Sequence, residues 1–213
     1  MILHGYWRSS ASYRTRIALQ VKGIDYEYAP VHLVKDGGEQ KTAAYRQLNP
    51  AGLVPTLVDG DFRLNQSLAI IEYLESVQPE PALIPKDPKQ AAIVRMLALD
   101  MAADLQPITN LRVLQYLTGT LEVSDSERLD WIHHWVKVTF AAFEQRLHAY
   151  AGRCCVGDTV SLADICLVPQ VYNAQRFGVD LSSFPKVLAI NDHLQGLPAF
   201  VAARPEAQPD ADS

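Results

Sequence analysis

The first third of the chain alternates between strand-like and helix-like patterns. Residues 1–7, MILHGYW, are rich in strand-forming residues and alternate loosely, which predicts a first strand. The next segment, SYRTRIALQVKG, places Ile17 and Val21 at helical spacing and stops at Gly23, which predicts a helix. Residues 25–34 alternate again. Together these segments predict a β-α-β unit with a parallel pair of strands.

A hairpin and a second helix are predicted next. The segment VPTLVDGDFRLNQS has an Asp-Gly turn at Asp59 and Gly60 between two strand-like runs. It is followed by SLAIIEYLESV, an amphipathic helical pattern. Residues 1–80 are therefore predicted to form a small α/β domain, with a loop between its β-α-β and β-β-α parts.

The pattern changes after a proline-dense segment, QPEPALIPKDP, which we interpret as a packed linker between domains. Strand patterns fade beyond it, and residues 87–213 are predicted to form an all-helical domain. Its last residues, PEAQPDADS, are expected to be frayed or loosely packed. The helix-rich stretches are 87–118, 125–151, 161–177 and 186–204.

Composition narrows the class of protein. The 213 residues are 48% hydrophobic and 20% charged, as in globular proteins, and the net charge of −5 carries no nucleic-acid signature. No apolar run is long enough for a membrane span, and the first residues lack a signal-peptide pattern. Three cysteines, Cys154, Cys155 and Cys166, do not make a disulfide framework. We therefore expect a cytoplasmic protein with no nucleic-acid or membrane partner.

Two serines and three arginines surround the predicted start of the first helix. Ser9 or Ser10 is expected to cap this helix, which the local pattern favours. Alternatively, a serine there donates a hydrogen bond to an anion such as a thiolate, which a helix start and nearby arginines would stabilise. Arg8, Arg14 and Arg16 are equally interpretable as solvated surface charges.

Two further turns carry candidate binding groups. Pro55 indicates the first residue of a strand or an edge strand, and a cis bond before it would present the backbone of Val54 to a ligand, although most prolines are trans. Gln66 and Ser67 precede a helix. Ser67 is a natural N-cap, and the same helix start would also accept a carboxylate.

The helical domain carries polar residues with both structural and functional interpretations. Pro107 lies inside a helical pattern and predicts a kink. Gln106 and Asn110 are predicted to share a helix face, with Arg112 roughly 120° away. Arg176 lies in the last turn of a predicted helix, where an arginine interacts favourably with the terminal carbonyls.

One helix start in this domain is predicted to be purely structural. Ser161 and Asp164 have the spacing of a capping box, and we assign both to folding rather than catalysis. No histidine, including His133 and His134, has metal-ligand spacing, so we expect no metal site. No glycine-rich phosphate-binding loop is present either.

As a set, these motifs resemble the zeta class of glutathione transferases, from near residue 2 to about residue 209. The resemblance implies a thioredoxin-like amino-terminal domain, a helical carboxyl-terminal domain, a homodimer and glutathione as the cofactor. It also implies a cis bond before Pro55. The matching segments are YWRSSASYRTRIALQVKG, LVKDGGEQ, LNPAGLVPTL, NQSLAIIEYLE, QPITNLRVLQYL and GDTVSLADICLVPQVYNAQRFGVDL.

The resemblance also assigns roles to individual residues. It places Ser9 and Ser10 beside the glutathione sulfur, Gln66 and Ser67 at its γ-glutamyl carboxylate, and Arg8 and Arg176 at the carboxylates of a small diacid substrate. Gln40 matches a position at the glycyl end. The full glutathione-contacting set is Ser9, Ser10, Ala11, Ser12, Tyr13, Arg14, Gln40, Val54, Pro55, Gln66, Ser67, Gln106, Asn110, Leu111 and Arg112.

The implied activity is glutathione-dependent cis–trans isomerisation of maleylacetoacetate to fumarylacetoacetate in tyrosine and phenylalanine breakdown. Alternatives are maleylpyruvate isomerisation, reaction with small α-haloacids, and a non-catalytic glutathione-binding module. Ala11 stands where the class commonly has cysteine, so a mechanism that needs a protein thiol there is excluded. Gln106 stands where some maleylpyruvate isomerases carry histidine, which favours maleylacetoacetate.

Overall fold

A computed structural model describes residues 1–211 of the chain, which divide into two compact units. The first unit is Met1–Ala82 together with the chain from Gly196 onward, and the second is Leu83–Gln195. The chain thus leaves the first unit once and returns to it. The predicted helical domain, 87–213, differs from the second unit at this carboxyl end.

The first unit is built on a mixed sheet with strand order β2-β1-β3-β4. β1 and β2 are parallel and β3–β4 are antiparallel, as predicted from the β-α-β unit and the hairpin. β1 and β3 are antiparallel. Its elements are β1 (Ile2–Gly5), α1 (Ser10–Lys22), β2 (Glu27–Pro30), α2 (Ala43–Leu48), β3 (Thr56–Asp59), β4 (Phe62–Asn65) and α3 (Ser67–Val77). The short α2 lies in the segment that we expected to be a loop.

The predicted start and stop signals of α1 are used as expected. The Ser9 side chain caps its start, and Gly23 ends it with a φ of 62°, a left-handed conformation that glycine adopts without strain. α1 packs against α3, and buried Leu3, Ile17 and Ile70 belong to this core. These apolar positions therefore share one core, and polar residues of α1 such as Arg16 are buried as well.

The carboxyl-terminal segment packs on the first unit instead of fraying. α10 (Pro198–Ala203) packs against α1, and a short 3₁₀ turn follows at Pro205–Ala207. Asp210 is buried. The expectation of a loosely packed tail is therefore wrong for residues 205–211, because α1 supplies partners that no local pattern reveals; residues 212–213 lie outside the described part.

The linker is held to the end of α1 by one buried cation. Lys22 Nζ donates to the carbonyls of Gln78 and Pro81 at 2.7 and 3.1 Å and pairs with Glu75 at 2.7 Å. The Glu80-Pro81 peptide bond is cis. These contacts agree with the prediction of a packed linker.

The second unit is helical throughout its regular elements, as predicted. α8 is buried on all sides over residues 161–171, which explains its continuous apolar pattern. A π-helical stretch, Asp100–Leu105, follows α4, and the helix breaks after Pro107. The elements are α4 (Pro88–Leu99), α5 (Gln106–Ile108), α6 (Leu111–Gly119), α7 (Asp125–Tyr150), α8 (Leu162–Arg176) and α9 (Pro185–Gln195).

Within residues 1–211, none of the helices combines the length and the apolar character that crossing a membrane requires.

Candidate active site

The sheet register brings the candidate residues of the first unit to one end of the sheet. Gly5 and Pro30 pair at the ends of β1 and β2, while His4 pairs with Thr56, and Thr56 with Asn65. The chain therefore leaves β1, β2 and β4, and enters β3, at the same end. The segments at this end carry Ser9 and Ser10, Gln40, Val54 and Pro55, and Gln66 and Ser67.

Ser9 is the N-cap of α1, as the local pattern favours. Its Oγ accepts a hydrogen bond from the N–H of Ser12 at 3.2 Å, and Ser10 is the first helical residue. Capping uses a lone pair of the hydroxyl oxygen and leaves the O–H available as a donor. No acidic residue lies in the first turn of α1. The two interpretations of Ser9, cap and donor to an anion, are thus compatible.

The rest of this stretch is mostly buried. Ser12, Tyr13 and Arg14 lie in the core of the first unit, while Ala11 keeps partial exposure. The Arg14 Nε donates to the Ser10 carbonyl at 3.4 Å. Among the four, therefore, Ala11 has the side chain that faces the surface.

Arg16 is fully buried, so the interpretation of Arg14 and Arg16 as solvated charges is wrong. The Arg16 guanidinium donates to the carbonyls of Trp7 at 2.9 Å and Ala203 at 3.1 Å. Burial lowers the pKa of Arg16, although arginine stays protonated in proteins. Its acceptors are backbone carbonyls, which gives this cation a role in folding.

Arg8 differs from these two arginines because it is only half-buried. Its guanidinium lies 4.7 Å from the Trp7 ring centre and donates to the Tyr6 hydroxyl at 3.2 Å. No carboxylate within residues 1–211 forms an ion pair with it. Arg8 can therefore pair with an external anion without breaking an internal salt bridge.

The turn before β3 exposes an unused pair of backbone groups. The Val54-Pro55 bond is cis, in agreement with the resemblance and against the general preference of prolines. Within the described chain, neither the N–H nor the carbonyl of Val54 has a hydrogen-bond partner. An extended peptide could pair with both groups, as a neighbouring strand would.

Two residues that the sequence analysis missed hold this turn in place. The carbonyl of Leu53 accepts from the Tyr45 hydroxyl at 2.8 Å and from the Asn49 side chain at 2.7 Å. Asn49 also accepts from the N–H of Ala51 at 3.0 Å, forming an Asx turn. The Asn-Pro dipeptide at Asn49 was an available turn signal.

The start of α3 differs from its prediction. Gln66, with a φ of 72°, takes the N-cap position, and Ser67 is the first helical residue. The expectation that Ser67 is the N-cap is therefore wrong. No side chain caps this helix, and its first turn has no acidic residue. Its first N–H groups and the Ser67 hydroxyl remain as donors for an anion.

Gln40 is buried rather than displayed. Its side-chain N–H donates to the carbonyl of Leu33 at 3.1 Å, and the carboxamide packs against Gly38. A Cβ on Gly38 would lie 2.6 Å from both the nitrogen and the oxygen of this carboxamide. Gln40 thus braces the loop that follows β2.

The candidate residues of the second unit lie on separate helical segments. Gln106 belongs to α5, whereas Asn110 caps α6 by accepting from the N–H of Val113 at 3.2 Å. The prediction that both share one helix face is wrong because the helix breaks after Pro107. Leu111 is the first residue of α6, and Arg112 beside it is exposed.

Arg176 lies in the last turn of α8, as predicted, and is exposed. Its guanidinium carbon lies 4.2 Å from the centre of the Phe177 ring. An exposed cation held against an aromatic ring is suited to bind a carboxylate from solvent.

None of the three cysteines offers an exposed thiol. All three are buried, and none forms a disulfide bond within residues 1–211. Burial, reinforced by the Asp164 charge, raises the pKa of Cys154 to about 12 and that of Cys155 well above its usual range. Asp164 accepts from the N–H groups of Cys155 and Ser161 at 2.7 and 2.8 Å, which confirms its folding role. Within residues 1–211, no group of histidines, cysteines or carboxylates could hold a metal ion.

Comparison with known proteins agrees with this geometry. The family models for the N-terminal and C-terminal domains of glutathione S-transferase match residues 8–77 and 134–198. A probable maleylacetoacetate isomerase from Vibrio cholerae serotype O1 is 54% identical over 211 residues, covering 99% of this chain and 98% of the relative.

Two solved structures are similar over nearly the whole chain. One is the holo structure of a maleylpyruvate isomerase, described as a bacterial zeta-class glutathione S-transferase, with a TM-score of 0.96, 44% identity and coverage of 99% and 100%. The other is a maleylacetoacetate isomerase from Anaeromyxobacter dehalogenans 2CP-1 with dicarboxyethyl glutathione and citrate in its active site, with a TM-score of 0.85, 38% identity and coverage of 99% and 93%. The chain belongs to the glutathione S-transferase family, within its zeta class.

Proposed function

We propose that this chain is a glutathione-dependent cis–trans isomerase that converts maleylacetoacetate to fumarylacetoacetate, as a step of tyrosine and phenylalanine breakdown. The observation that carries the proposal is the common position of three kinds of donor at one sheet end. They are the start of α1 with Ser9, the start of α3 with Ser67, and the unpaired backbone of Val54.

These residues fit a tripeptide that carries a carboxylate and a thiol. The N–H groups and Ser67 hydroxyl at the start of α3 would hold the γ-glutamyl carboxylate, with the Gln66 side chain beside it. The backbone of Val54 would pair with the peptide, and the buried Gln40 would act by bracing its loop. Residues 1–80 are the proposed glutathione-binding domain. Gln106, Asn110, Leu111 and Arg112 remain proposed glutathione contacts on the strength of the resemblance to the zeta class.

Glutathione supplies a thiolate that adds reversibly to the alkene, so that the former double bond can rotate. The protein's part is to keep the sulfur ionised and to hold the substrate. The Ser9 hydroxyl and the start of α1 favour the thiolate over the thiol, with Ser10 beside them. The resemblance to the zeta class makes Arg8 and Arg176 the proposed partners of the substrate carboxylates. The relative that binds dicarboxyethyl glutathione supports a site for glutathione and carboxylates together.

Isomerisation of maleylpyruvate is the second candidate function, favoured by the similarity to the maleylpyruvate isomerase structure. The test compares the rates with maleylacetoacetate and maleylpyruvate, each with and without glutathione. Faster glutathione-dependent turnover of maleylacetoacetate is expected. Faster turnover of maleylpyruvate would move the enzyme to the second function, and no turnover of either acid would contradict both.

We further propose that the chain acts as a cytoplasmic homodimer. Support for the dimer comes from the resemblance to the zeta class. Support for a reducing compartment comes from the three cysteines, which form no disulfide bond within residues 1–211. One chain has a mass of 23.6 kDa. Light scattering on the purified protein is expected to give twice this mass. A monomer at enzyme-assay concentrations would contradict the dimer.

A further inference from the structure

Ser9 is the last residue of the short loop between β1 and α1. Hydrogen bonds to other residues of the chain hold the backbone of this loop. The N–H of Ser9 donates to the carbonyl of Tyr6 at 3.0 Å, which closes a turn. The N–H of Tyr6 donates to the Ser12 hydroxyl at 3.3 Å. The carbonyls of Tyr6 and Trp7 also accept from Arg16. The position of Ser9 therefore depends on how this loop is held.

A third backbone donor of the loop is held from the far end of the chain. The N–H of Trp7 donates to the Asp210 carboxylate at 3.1 Å, across 203 residues of sequence. The same Asp210 oxygen accepts from the Tyr28 hydroxyl at 3.3 Å. Tyr28 in turn packs closely beside Gly5, where a Cβ would lie 3.0 Å from its ring. A buried carboxylate thus joins the tail, β2 and the loop.

The Arg16 guanidinium reinforces the same junction. It joins the carbonyl of Trp7 to that of Ala203 at the end of α10. Its charge interacts favourably with that of Asp210. Both polar backbone groups of Trp7 are therefore fixed, directly or through Arg16, to residues near the carboxyl end of the chain.

We infer that Asp210 is a positioning residue for Ser9, and that the carboxyl-terminal segment holds the loop of the active site in its working geometry. The inference rests on the proposed function, because Ser9 must act on the glutathione sulfur for its placement to matter. Asp210 itself is not a catalytic residue, since it acts through the backbone of Trp7. Without Asp210 the loop would lose its contact at Trp7, and the Ser9 hydroxyl would be less well aligned.

The test replaces Asp210 by alanine in the full-length enzyme and measures three quantities well below its unfolding temperature. We expect at least a tenfold fall in kcat, a higher pKa of enzyme-bound glutathione by ultraviolet thiolate absorbance, and faster amide hydrogen exchange of residues 6–9 without glutathione. Asp61→Ala removes an exposed carboxylate from the same unit and serves as the matched control.

Asp210→Asn keeps an oxygen that can accept from Trp7, and we expect kcat within about threefold of the wild type. Tyr28→Phe removes the other hydrogen bond to Asp210 and should change the three readouts in the same direction but less, which keeps the test usable if Asp210→Ala does not fold. Wild-type values of all three readouts in Asp210→Ala, with only a lower Tm, would overturn the inference. Equal losses in Asp210→Ala and Asp210→Asn would also overturn it.

A parallel Ser9→Ala variant separates the two proposals. If Ser9→Ala raises the pKa of bound glutathione and Asp210→Ala does not, the inference about Asp210 is wrong and the proposed function stands. If Ser9→Ala leaves that pKa and kcat at wild-type values, the proposed role of Ser9 is wrong, and the inference fails with it.

Discussion

The same tripeptide, Ser-Leu-Ala, lies at the start of two helices of this protein, and only one of these starts has a capping box. It occurs as residues 67–69 at the start of α3 and as residues 161–163 at the start of α8. The next residue is Ile70 in the first case and Asp164 in the second. The start of α8 thus has an internal carboxylate as acceptor, whereas no acidic residue lies in the first turn of α3.

At α8, Ser161 is the N-cap, and buried Asp164 accepts from its N–H and hydroxyl at 2.8 and 2.7 Å. At α3, the serine of the tripeptide, Ser67, is already the first helical residue. The N-cap is the preceding Gln66, whose side chain makes no capping hydrogen bond. Since Ile70 cannot accept a hydrogen bond, the donors of the first turn stay available. A helix start without an internal acceptor is thus a better candidate for ligand binding than one with a capping box.

The largest effect is expected from removing the internal carboxylate of α8. Asp164→Ala leaves three buried donors, two N–H groups and one hydroxyl, without their acceptor, and should lower the free energy of unfolding by about 3 kcal/mol or more. Urea unfolding measures this loss. Asp192→Ala, at an exposed position on α9, is the control. A loss below about 1 kcal/mol would contradict the description of α8 as internally closed.

The second largest effect, on kcat, is expected from Ser9→Ala. It tests whether the start of α1 contributes to ligand binding in addition to folding. Ser9→Ala removes the proposed donor to the glutathione sulfur and should lower kcat by about 100-fold, with a smaller change in the Kd of glutathione. It also removes a cap, which is worth about 1 kcal/mol of stability.

Ser124→Ala is the matched control for Ser9→Ala, because Ser124 caps α7 in the same way. Both variants should lose comparable stability, and only Ser9→Ala should lose turnover. Similar losses of kcat in the two variants would mean that Ser9 acts as a cap alone.

A smaller effect, on glutathione affinity, is expected from a substitution at the start of α3. Ser67→Ala removes one donor and should raise the Kd of glutathione about tenfold, equivalent to about 1.4 kcal/mol, as measured by isothermal titration calorimetry. Stability should stay close to that of the wild type, because Ser67 caps nothing. Ser76→Ala, at an exposed serine of the same helix, is the control. A loss of stability without a loss of affinity would contradict an open helix start.

The smallest effect is expected from a cysteine of α8. Cys166 is fully buried next to a structural helix start, so Cys166→Ala should leave kcat and the Kd of glutathione at wild-type values. Steady-state kinetics at saturating glutathione checks this. A large loss of kcat with intact folding would give α8 a catalytic role that its geometry does not suggest.

Local patterns predicted most of the fold, because most of its elements carry their own signals. The cap at Ser9, the stop at Gly23 and the hairpin turn each have a short-range physical cause. The structure has the first two as predicted, and the turn one residue later, with Gly60 and Asp61 between the paired Asp59 and Phe62. Strand order and register then bring the loops of the first unit together. The short α2 was missed because its six residues, 43–48, are too few for a helical periodicity to be recognised.

Most of the features that local patterns did not predict depend on partners that are distant in sequence. Burial of Arg16 depends on Ala203, 187 residues away, and burial of Asp210 depends on Trp7, 203 residues away. No window of sequence contains both members of either pair. The position of Ser67 was also missed, since a serine before an apolar helix is normally its cap, and the left-handed conformation of Gln66 has no clear sequence signal.

The proposed mechanism requires a glutathione thiolate that is regenerated and not consumed. The most direct test follows isomerisation of maleylacetoacetate at a known amount of glutathione, with S-methylglutathione, which has no free thiol, in a parallel reaction. We expect many turnovers for each glutathione, full recovery of the thiol at the end, and no catalysis with S-methylglutathione. Catalysis without a free thiol, or loss of one glutathione for each product formed, would contradict it.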